Sequence, residues 1–294
     1  MRCSSLAVFG VLWLLAASSV ATAQIQVTAQ TQRSNYLLYE RVDLLITIQN
    51  MGDTDLVLNN SEGHPWLSFL VTKRDRQNHL PVRPERTSDY QQVTLKVGES
   101  KTLGVNLTPL FSFREEGDYN ASAVVDLPGQ GQVISEVVPF TVLEGRKVWS
   151  QTRPVDGSQR LYSLIRFSPE PDRTQLYLRV EGPSENIIYT NLALGDVVAF
   201  VDPGVQFDPQ GNLHILHPIA MGTYLYTRAD QDGKILHQNI FKTYREIPPR
   251  LAKVEDGNVI VNGGLAEDPN TPQEKLSDAQ NVKKPNQPPV GSVQ

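Results

Sequence analysis

The chain has 294 residues, of which 39% are apolar and one, Cys3, is a cysteine. Its formal charge is −5, from 27 Lys and Arg against 32 Asp and Glu. This composition suffices for packed cores and excludes general disorder. The mildly acidic balance gives no electrostatic footprint for nucleic acid or an anionic lipid surface. A single cysteine excludes a disulfide framework and a cysteine zinc site.

The first 23 residues have the pattern of a secretory signal peptide. Met1-Arg2 is a basic start, residues 6–17 are apolar, and Ala21-Thr22-Ala23 fits the small-residue cleavage pattern. The apolar run is shorter than the roughly 20 residues that span a bilayer, which disfavours a retained anchor. Since the remaining chain has no cysteine, a bacterial origin is favoured. We expect cleavage after Ala23 and a secreted or periplasmic location without stable membrane insertion.

The next 120 or so residues alternate apolar and polar side chains in short runs. Gly, Pro, Asn and Asp turns separate these runs, and each strand of such a series buries one face only. The pattern predicts an all-β domain over 24–145. The alternating runs are 25–31, 42–48, 67–71, 103–107, 119–125 and 138–142.

Two stretches in this half carry a resemblance. Residues 39–50, Tyr-Glu-Arg-Val-Asp-Leu-Leu-Ile-Thr-Ile-Gln-Asn, followed by Gly52, resemble the opening strands of bacterial immunoglobulin-like domains. Residues 113–119, Phe-Arg-Glu-Glu-Gly-Asp-Tyr, resemble the corner before the penultimate strand of those domains. The resemblance implies an immunoglobulin-like β-sandwich in which the Tyr119 hydroxyl bonds back to the preceding loop. It implies no particular ligand, because such sandwiches carry many functions.

After a connection over 144–157 the chain becomes rich in tyrosine and in Asp-Gly pairs. The pairs at 156–157, 232–233 and 256–257 predict hairpins with type I′ turns. Residues 205–215 align with 251–261, and Gly-Asn recurs at a spacing of 46 residues. Strand, Asp-Gly turn and strand at this period resemble a β-propeller blade.

We therefore expect a second antiparallel β domain over 146–264. It is either a sandwich with propeller-like hairpins or a partial propeller that several chains complete. The first is favoured because closed rings usually need at least four blades. Residues 265–294 hold five prolines and no aromatic residue, which predicts a disordered tail.

Sequence motifs for catalysis, cofactors and metals are missing. The sequence has no G-x-S-x-G, phosphate-binding loop, complete dinucleotide fingerprint or H-E-x-x-H. His214 and His217 are three residues apart on a predicted strand, so they point to opposite faces and do not share a metal ion. The Asp230 segment begins like a calcium loop but lacks the later oxygen ligands, which favours a hairpin turn. We predict no catalytic residue, no metal and no cofactor.

Aromatic residues give the one hint of binding. Tyr224 and Tyr226 share a strand face, and Tyr177 lies in the same predicted domain. Packing across strands is the competing interpretation, since tyrosine is a good strand former. The candidate ligand-binding residues are Tyr177, Tyr224, Tyr226 and His214.

The sequence thus favours an exported, non-enzymatic binding or scaffolding protein of the cell envelope or periplasm, with a protein or a glycan as partner. Two alternatives stay open. One is a polysaccharide hydrolase that uses turn carboxylates, Asp202 with Asp208 or Glu115 with Glu116, as acid and base. The other is a proteinase inhibitor in which the 59–66 segment, with Gly63-His64-Pro65-Trp66, enters a protease cleft.

Overall fold

The computed structural model of the chain describes residues 25–61, 64–76, 78–83, 90–127, 129, 131–184 and 186–267. These residues form strands and turns and contain no helix, which confirms the all-β prediction for them. Accordingly, no helix in this part of the chain is long and apolar enough to cross a membrane. The predicted signal peptide and the predicted tail beyond residue 267 lie outside the described residues.

The strands follow one another along the chain with short connections. The first ten are β1 (Ile25–Thr31), β2 (Asn35–Leu37), β3 (Asp43–Asn50), β4 (Leu56–Leu58), β5 (Leu67–Lys73), β6 (Val93–Leu95), β7 (Ser100–Asn106), β8 (Gly117–Leu127), β9 (Gly131–Ile134) and β10 (Val138–Leu143). The next eleven are β11 (Arg146–Val155), β12 (Ser158–Glu170), β13 (Arg173–Gly182), β14 (Ile187–Asp196), β15 (Gly204–Phe207), β16 (Leu213–Ala220), β17 (Thr223–Ala229), β18 (Ile235–Lys242), β19 (Arg250–Lys253), β20 (Val259–Asn262) and β21 (Leu265–Ala266).

The six alternating runs fall on β1, β3, β5, β7, β8 and β10, so the period-2 pattern located these strands correctly. The sheets have the orders β1-β3-β7, β2-β10-β8-β5 with β9 on β8, β4-β6, β11-β12-β13-β14, β15-β16-β17-β18-β21 and β19-β20. The pairing of β2 with β10 is parallel.

The described chain divides into two compact units that are discontinuous in sequence. Unit 1 holds the described residues up to Gln32, with Asp43–Phe111 and Asn120–Val138. Unit 2 holds Arg33–Val42, Ser112–Tyr119 and the described residues from Pro139 onward. The immunoglobulin-like domain and the boundaries at 145 and 264 stay predictions.

Unit 1 shows how alternation builds a core. Leu44, Ile46 and Ile48 of β3 are fully buried, whereas the residues between them are partly exposed. β3 pairs antiparallel with β1 on one side and β7 on the other. Burying such a side chain stabilises the fold by about 1.5–3 kcal/mol. The alternation therefore fixes the register, since a slip by one residue would expose the whole set.

Unit 2 buries one cluster between two sheets. Tyr162 and Leu178 contribute from the sheet β11–β14, and Leu213 and Ile215 contribute from the sheet β15–β18. The two sheets therefore pack face to face on a shared apolar core, and the opposite face of each sheet points away from it. The second face of the sheet β15–β18 is partly covered at β15, where the side-chain amide of Gln206 donates to the carbonyl of Leu251 in β19 at 3.4 Å.

The predicted hydrogen bond from Tyr119 to the preceding loop is present. Tyr119 is buried, and its hydroxyl donates to the backbone carbonyl of Glu115 at 2.8 Å. Its ring stacks on Phe140, with centroids 5.5 Å apart, and meets the Phe113 ring edge-on at 5.4 Å. The expectation that Tyr119 bonds back to the preceding loop is confirmed.

The Asp-Gly pairs mark hairpins, but only one of them has the predicted turn type. Asp156 and Gly157 have φ of 48° and 82°, as a type I′ turn between β11 and β12 requires. In the other two hairpins only Gly233 and Gly257 have positive φ, at 86° and 81°. The type I′ prediction is wrong for these two, because a longer turn needs only one left-handed position.

The same longer turn occurs three times in unit 2. It spans Asp208–Asn212, Asp230–Lys234 and Val254–Asn258, and in each the first N–H donates to the fifth carbonyl at 2.9–3.1 Å. The glycine N–H at the fourth position donates to the first carbonyl. The repeat predicted from 205–215 and 251–261 thus corresponds to two hairpins, β15–β16 and β19–β20, with matching turns. Beyond them, Leu265 and Ala266 at the start of the predicted tail pair with β18.

Candidate ligand-binding site

The outward face of the sheet β15–β18 carries most of the candidate residues. Leu213 and Ile215 of β16 lie in the core, so His214 between them faces the other way. The strand register places Tyr226 of β17 and Phe241 of β18 on this same outward side. We refer to this set as the aromatic face. Its members are His214, Tyr224, Tyr226, Arg228, His237 and Phe241.

Tyr226 is the centre of the aromatic face. Its ring lies 5.9 Å from the His214 ring, 6.1 Å from the His237 ring and 6.2 Å from the Phe241 ring, between centroids. The Phe241 contact is edge-on, at 88°. Tyr226 and Phe241 are half-buried and His237 is exposed. Solvent therefore reaches a cluster of rings that the sheet holds in fixed positions.

Tyr224 lies beside this cluster as the sequence predicts. It precedes Tyr226 by two residues on β17 and stands opposite Phe241 in the register. It is half-buried. The predicted pairing of Tyr224 and Tyr226 on one strand face is therefore what the register shows.

A chain of hydrogen bonds runs beneath the aromatic face. The Oδ2 atom of Asp208 lies 3.1 Å from Nε2 of His214, and Nδ1 of His214 lies 2.8 Å from the Tyr226 hydroxyl. Asp208 and His214 are buried, whereas Tyr226 is half-buried. The hydrogen-bond chain thus connects a buried carboxylate to the hydroxyl of a half-buried tyrosine.

The turn between β15 and β16 fixes the carboxylate. Asp208 is the first residue of this turn, and its Oδ1 accepts the N–H of Asn212 at 2.8 Å. The side-chain amide of Asn212 donates to Oδ2, also at 2.8 Å. Gly211 supplies the positive φ of 83° that closes the turn. Asp208 is therefore held by the turn that it begins.

Burial and hydrogen bonds act in opposite directions on these groups. Burial by itself would raise the pKa of Asp208, but the hydrogen bonds from Asn212 and His214 outweigh it and lower that pKa. Burial raises the pKa of Tyr226. At neutral pH the hydrogen-bond chain therefore has the charged carboxylate of Asp208 at one end and the neutral hydroxyl of Tyr226 at the other.

Tyr177 lies apart from the aromatic face. It is buried in the sheet β11–β14, and its hydroxyl donates to Oε1 of Glu40 at 2.8 Å. Glu40 also accepts from Arg33 at 2.8 Å and from the N–H of Leu37 at 2.9 Å. Burial raises the pKa of Tyr177 to about 12. These contacts anchor residues 33–42 within unit 2, and they leave this tyrosine a packing role.

His217 points into the core, as its three-residue separation from His214 predicts. It is fully buried, and neither ring nitrogen has a hydrogen-bond partner among the described residues. Burial lowers its pKa to about 4, and the backbone of Asp196 opposes this to a smaller degree. His214 and His217 therefore lie on opposite faces of β16 and cannot bind one metal ion together. Among the described residues, no group of three His, Cys, Asp or Glu is arranged for a metal.

The carboxylates proposed for hydrolysis already have partners. Asp208 accepts three hydrogen bonds, and exposed Asp202 pairs with Arg166 at 3.2 Å. Glu116 accepts the N–H of Glu144 at 2.6 Å.

Oδ1 of Asp230, in the segment that begins like a calcium loop, accepts the N–H groups of Asp232 and Lys234, as in a hairpin turn.

The segment named for protease inhibition is partly outside the described residues, since 62 and 63 are not among them. Ser61 and His64 exchange two backbone hydrogen bonds at 2.9 and 3.0 Å. Trp66 is buried, and its indole donates to the carbonyl of Gln91 at 3.3 Å. Trp66 therefore anchors this segment to unit 1.

Sequence reasoning missed four participants: Asn212, Arg228, His237 and Phe241. A count of strand positions from the Asp-Gly turn at 232–233 places His237 and Phe241 on the face of Tyr226 only when one irregularity in the strand pairing is known. That irregularity lies between Arg228 and Ala229 and shifts the register of β18. The repeated turn motif ending in Asn212 and Asn258 was the signal for the carboxylate contact.

Comparisons with known proteins leave the family open. No protein-family model matches the chain, and no curated protein matches it either. A solved β-glucosidase from Erythrobacter marinus is similar over 40% of this chain, at 17% identity and a TM-score of 0.28. The sporulation control protein Spo0M from Bacillus subtilis is similar over 57% of this chain and 83% of its own, at 9% identity and a TM-score of 0.29.

The chain spans 15% of the length of the β-glucosidase. At these identities and TM-scores neither likeness carries an argument about function. The candidate site therefore depends on the chemistry of its own residues.

Proposed function

We propose that this chain is an exported, non-enzymatic binding or scaffolding protein of a bacterial cell envelope or periplasm. In this proposal the signal peptide is removed after Ala23. An immunoglobulin-like domain over 24–145 precedes a second β domain over 146–264, and the disordered tail follows. The aromatic face of the second domain is the ligand surface, and a glycan is favoured over a protein as its partner.

The cluster of rings around Tyr226 is the observation that carries this proposal. Binding sites combine aromatic surface with a few fixed polar groups. Tyrosine offers both, since its ring is apolar and its hydroxyl forms hydrogen bonds. Phe241 and His237 add further ring surface beside it. Stacking on the apolar face of a sugar, with hydroxyl groups bonded at the rim, fits such a surface.

The state of Asp208 supports binding over hydrolysis. A general acid in a glycosidase needs a carboxyl group that keeps its proton near neutral pH. Asp208 has a lowered pKa instead, and three hydrogen bonds occupy its oxygens. Such a carboxylate has no proton to give as the general acid. Because hydrogen bonds already occupy both of its oxygens, it is also a poor second carboxylate.

A sedimentation assay with insoluble bacterial envelope material tests this proposal. We expect the purified chain to sediment with material that has been treated with protease, and to be released when an excess of soluble oligosaccharides cut from that material is added. Tyr224→Ala combined with Phe241→Ala should lower the apparent affinity about tenfold or more, as truncation of aromatic anchors does. Tyr244→Ala is the matched control, because Tyr244 is an exposed tyrosine outside the aromatic face.

Three results would contradict the proposal. Equal retention of the double variant and the Tyr244→Ala control would place the ligand surface elsewhere. Retention lost on protease treatment, with no release by the soluble oligosaccharides, would make the partner a protein. Release of soluble sugar fragments by the chain would make it an enzyme.

A further inference from the structure

The series of hydrogen bonds that links Asp208, His214 and Tyr226 determines which atom carries each proton. A charged carboxylate accepts hydrogen bonds and donates none. Nε2 of His214, 3.1 Å from Oδ2 of Asp208, must therefore carry a proton. In the neutral imidazole, Nδ1 then has only a lone pair, so the hydrogen bond of 2.8 Å to Tyr226 uses the proton of the tyrosine hydroxyl.

Because Tyr226 donates its hydroxyl proton to His214, the Tyr226 oxygen can offer a ligand only its lone pairs. We infer that Tyr226 meets the ligand of the aromatic face as a hydrogen-bond acceptor, so that the ligand must bring a hydroxyl or N–H donor to this point. The inference rests on the proposed function for the presence of a ligand, and it adds the chemistry by which the ligand is selected.

Because Asp208 and His214 are buried, the direction of these hydrogen bonds is fixed. An exposed tyrosine hydroxyl rotates and can donate or accept as the ligand requires. Here Asp208 and His214 are buried, and Asn212 holds the carboxylate in place with two further hydrogen bonds. To turn the hydroxyl around would leave Nδ1 of His214 without a partner in a buried place, which is costly.

The surroundings of the acceptor fit a sugar derivative. The rings of His237 and Phe241 lie on either side of Tyr226, with centroids 6.1 and 6.2 Å away. A pyranose ring has apolar C–H groups on its faces and hydroxyl donors around its rim. It can therefore cover a ring and donate to the Tyr226 oxygen at the same time.

The proton order can be measured without any ligand. Long-range 1H–15N correlation spectra of the labelled full chain at about pH 8, well above the ordinary histidine pKa of about 6.5, identify the tautomer of His214. We expect the Nε2–H tautomer in the wild type. In Asp208→Asn, whose amide can also donate, we expect this preference to weaken. The Nδ1–H tautomer in the wild type would overturn the inference.

The ligand chemistry is tested with an oligomer of N-acetylglucosamine and its permethylated counterpart, which keeps the acceptor atoms but has no O–H or N–H donor. We expect calorimetry to detect binding of the first and loss of binding of the second. Tyr226→Phe should weaken the first about three- to tenfold, the usual effect of one neutral hydrogen bond. Tyr244→Phe, at an exposed tyrosine outside the aromatic face, should leave it unchanged.

The outcomes separate this inference from the proposed function. Equal binding of both oligomers to the wild type would overturn the acceptor role, and this comparison does not depend on the folding of a variant. Retention on envelope material, with no binding of the unmethylated oligomer, would overturn the inference while the proposed function stands. Loss of retention on envelope material would overturn the proposed function, while the tautomer spectrum still decides the proton order.

Discussion

His217 should make the fold sensitive to mild acid. Its side chain is fully buried, and burial lowers its pKa from 6.5 to about 4. In the unfolded chain the imidazole takes up its proton below about pH 6.5, whereas in the folded chain it stays neutral until about pH 4. The contribution of His217 to the free energy of unfolding is therefore full above about pH 6.5, and it is lost as the pH drops toward about 4.

The size of this effect follows from the two pKa values. They differ by about 2.5 pH units, and at about 1.36 kcal/mol per unit the full loss is about 3 kcal/mol. At about pH 5 the loss is about 2 kcal/mol. Asp208 acts in a lower range, because its pKa is lowered from 3.8 and its contribution is lost only below that value. The interval from about pH 7 to pH 5 therefore isolates the histidine.

Urea unfolding of the wild type and of His217→Leu across this interval measures the effect. The leucine has no ring nitrogens to leave unpaired, so the variant should lose about 2 kcal/mol less than the wild type between about pH 7 and pH 5. His237→Leu, at an exposed histidine on β18, should keep the wild-type dependence. The same pH slope in the wild type and in His217→Leu would refute the reasoning, as would an NMR titration that shows His217 protonated at about pH 6.

Four further substitutions test the hydrogen bonds and turns in urea unfolding. Tyr119→Phe should cost about 1 kcal/mol, because the hydroxyl no longer bonds to the Glu115 carbonyl. Tyr177→Phe removes a donor to the partly buried carboxylate of Glu40 and should cost about 1.5–3 kcal/mol. No loss in either would contradict these bonds. Gly233→Ala should destabilise more than Gly157→Ala, because its Cβ would lie 2.7 Å from a side-chain carbon, whereas nothing lies within 4 Å of the other; equal costs would contradict the steric argument.

Local patterns in the sequence were enough to predict the strands and most hairpins. Alternation locates strands because a half-buried sheet needs one apolar face. Asp-Gly pairs locate turns because glycine adopts positive φ at little cost. Even the bond of Tyr119 to Glu115 is local, since only four residues separate them. The turn types at Gly233 and Gly257 were mispredicted because the pair alone does not give the loop length.

Contacts between distant residues could not be predicted in this way. Tyr177 and Glu40 are 137 residues apart in the sequence, and their hydrogen bond depends on how residues 33–42 pack within unit 2. Arg179 likewise donates to the carbonyl of Leu38 at 2.7 Å. No periodicity encodes such a pair, so Tyr177 looked like a candidate for ligand binding and turned out to be buried.

The two histidines of β16 show how a strand assigns different chemistry to the same residue type. Their separation of three places them on opposite faces, and of the two only His214 has side-chain hydrogen-bond partners among the described residues. His214 forms hydrogen bonds with the buried carboxylate of Asp208 and with the hydroxyl of Tyr226. His217 lies on the same side of β16 as Leu213 and Ile215, where burial lowers its pKa. Exchanging the two environments requires a one-residue shift of β16, which would also bring Leu213 and Ile215 out of the core. The packing that holds Leu213 and Ile215 in the core therefore also holds the hydrogen-bond chain of the aromatic face in place.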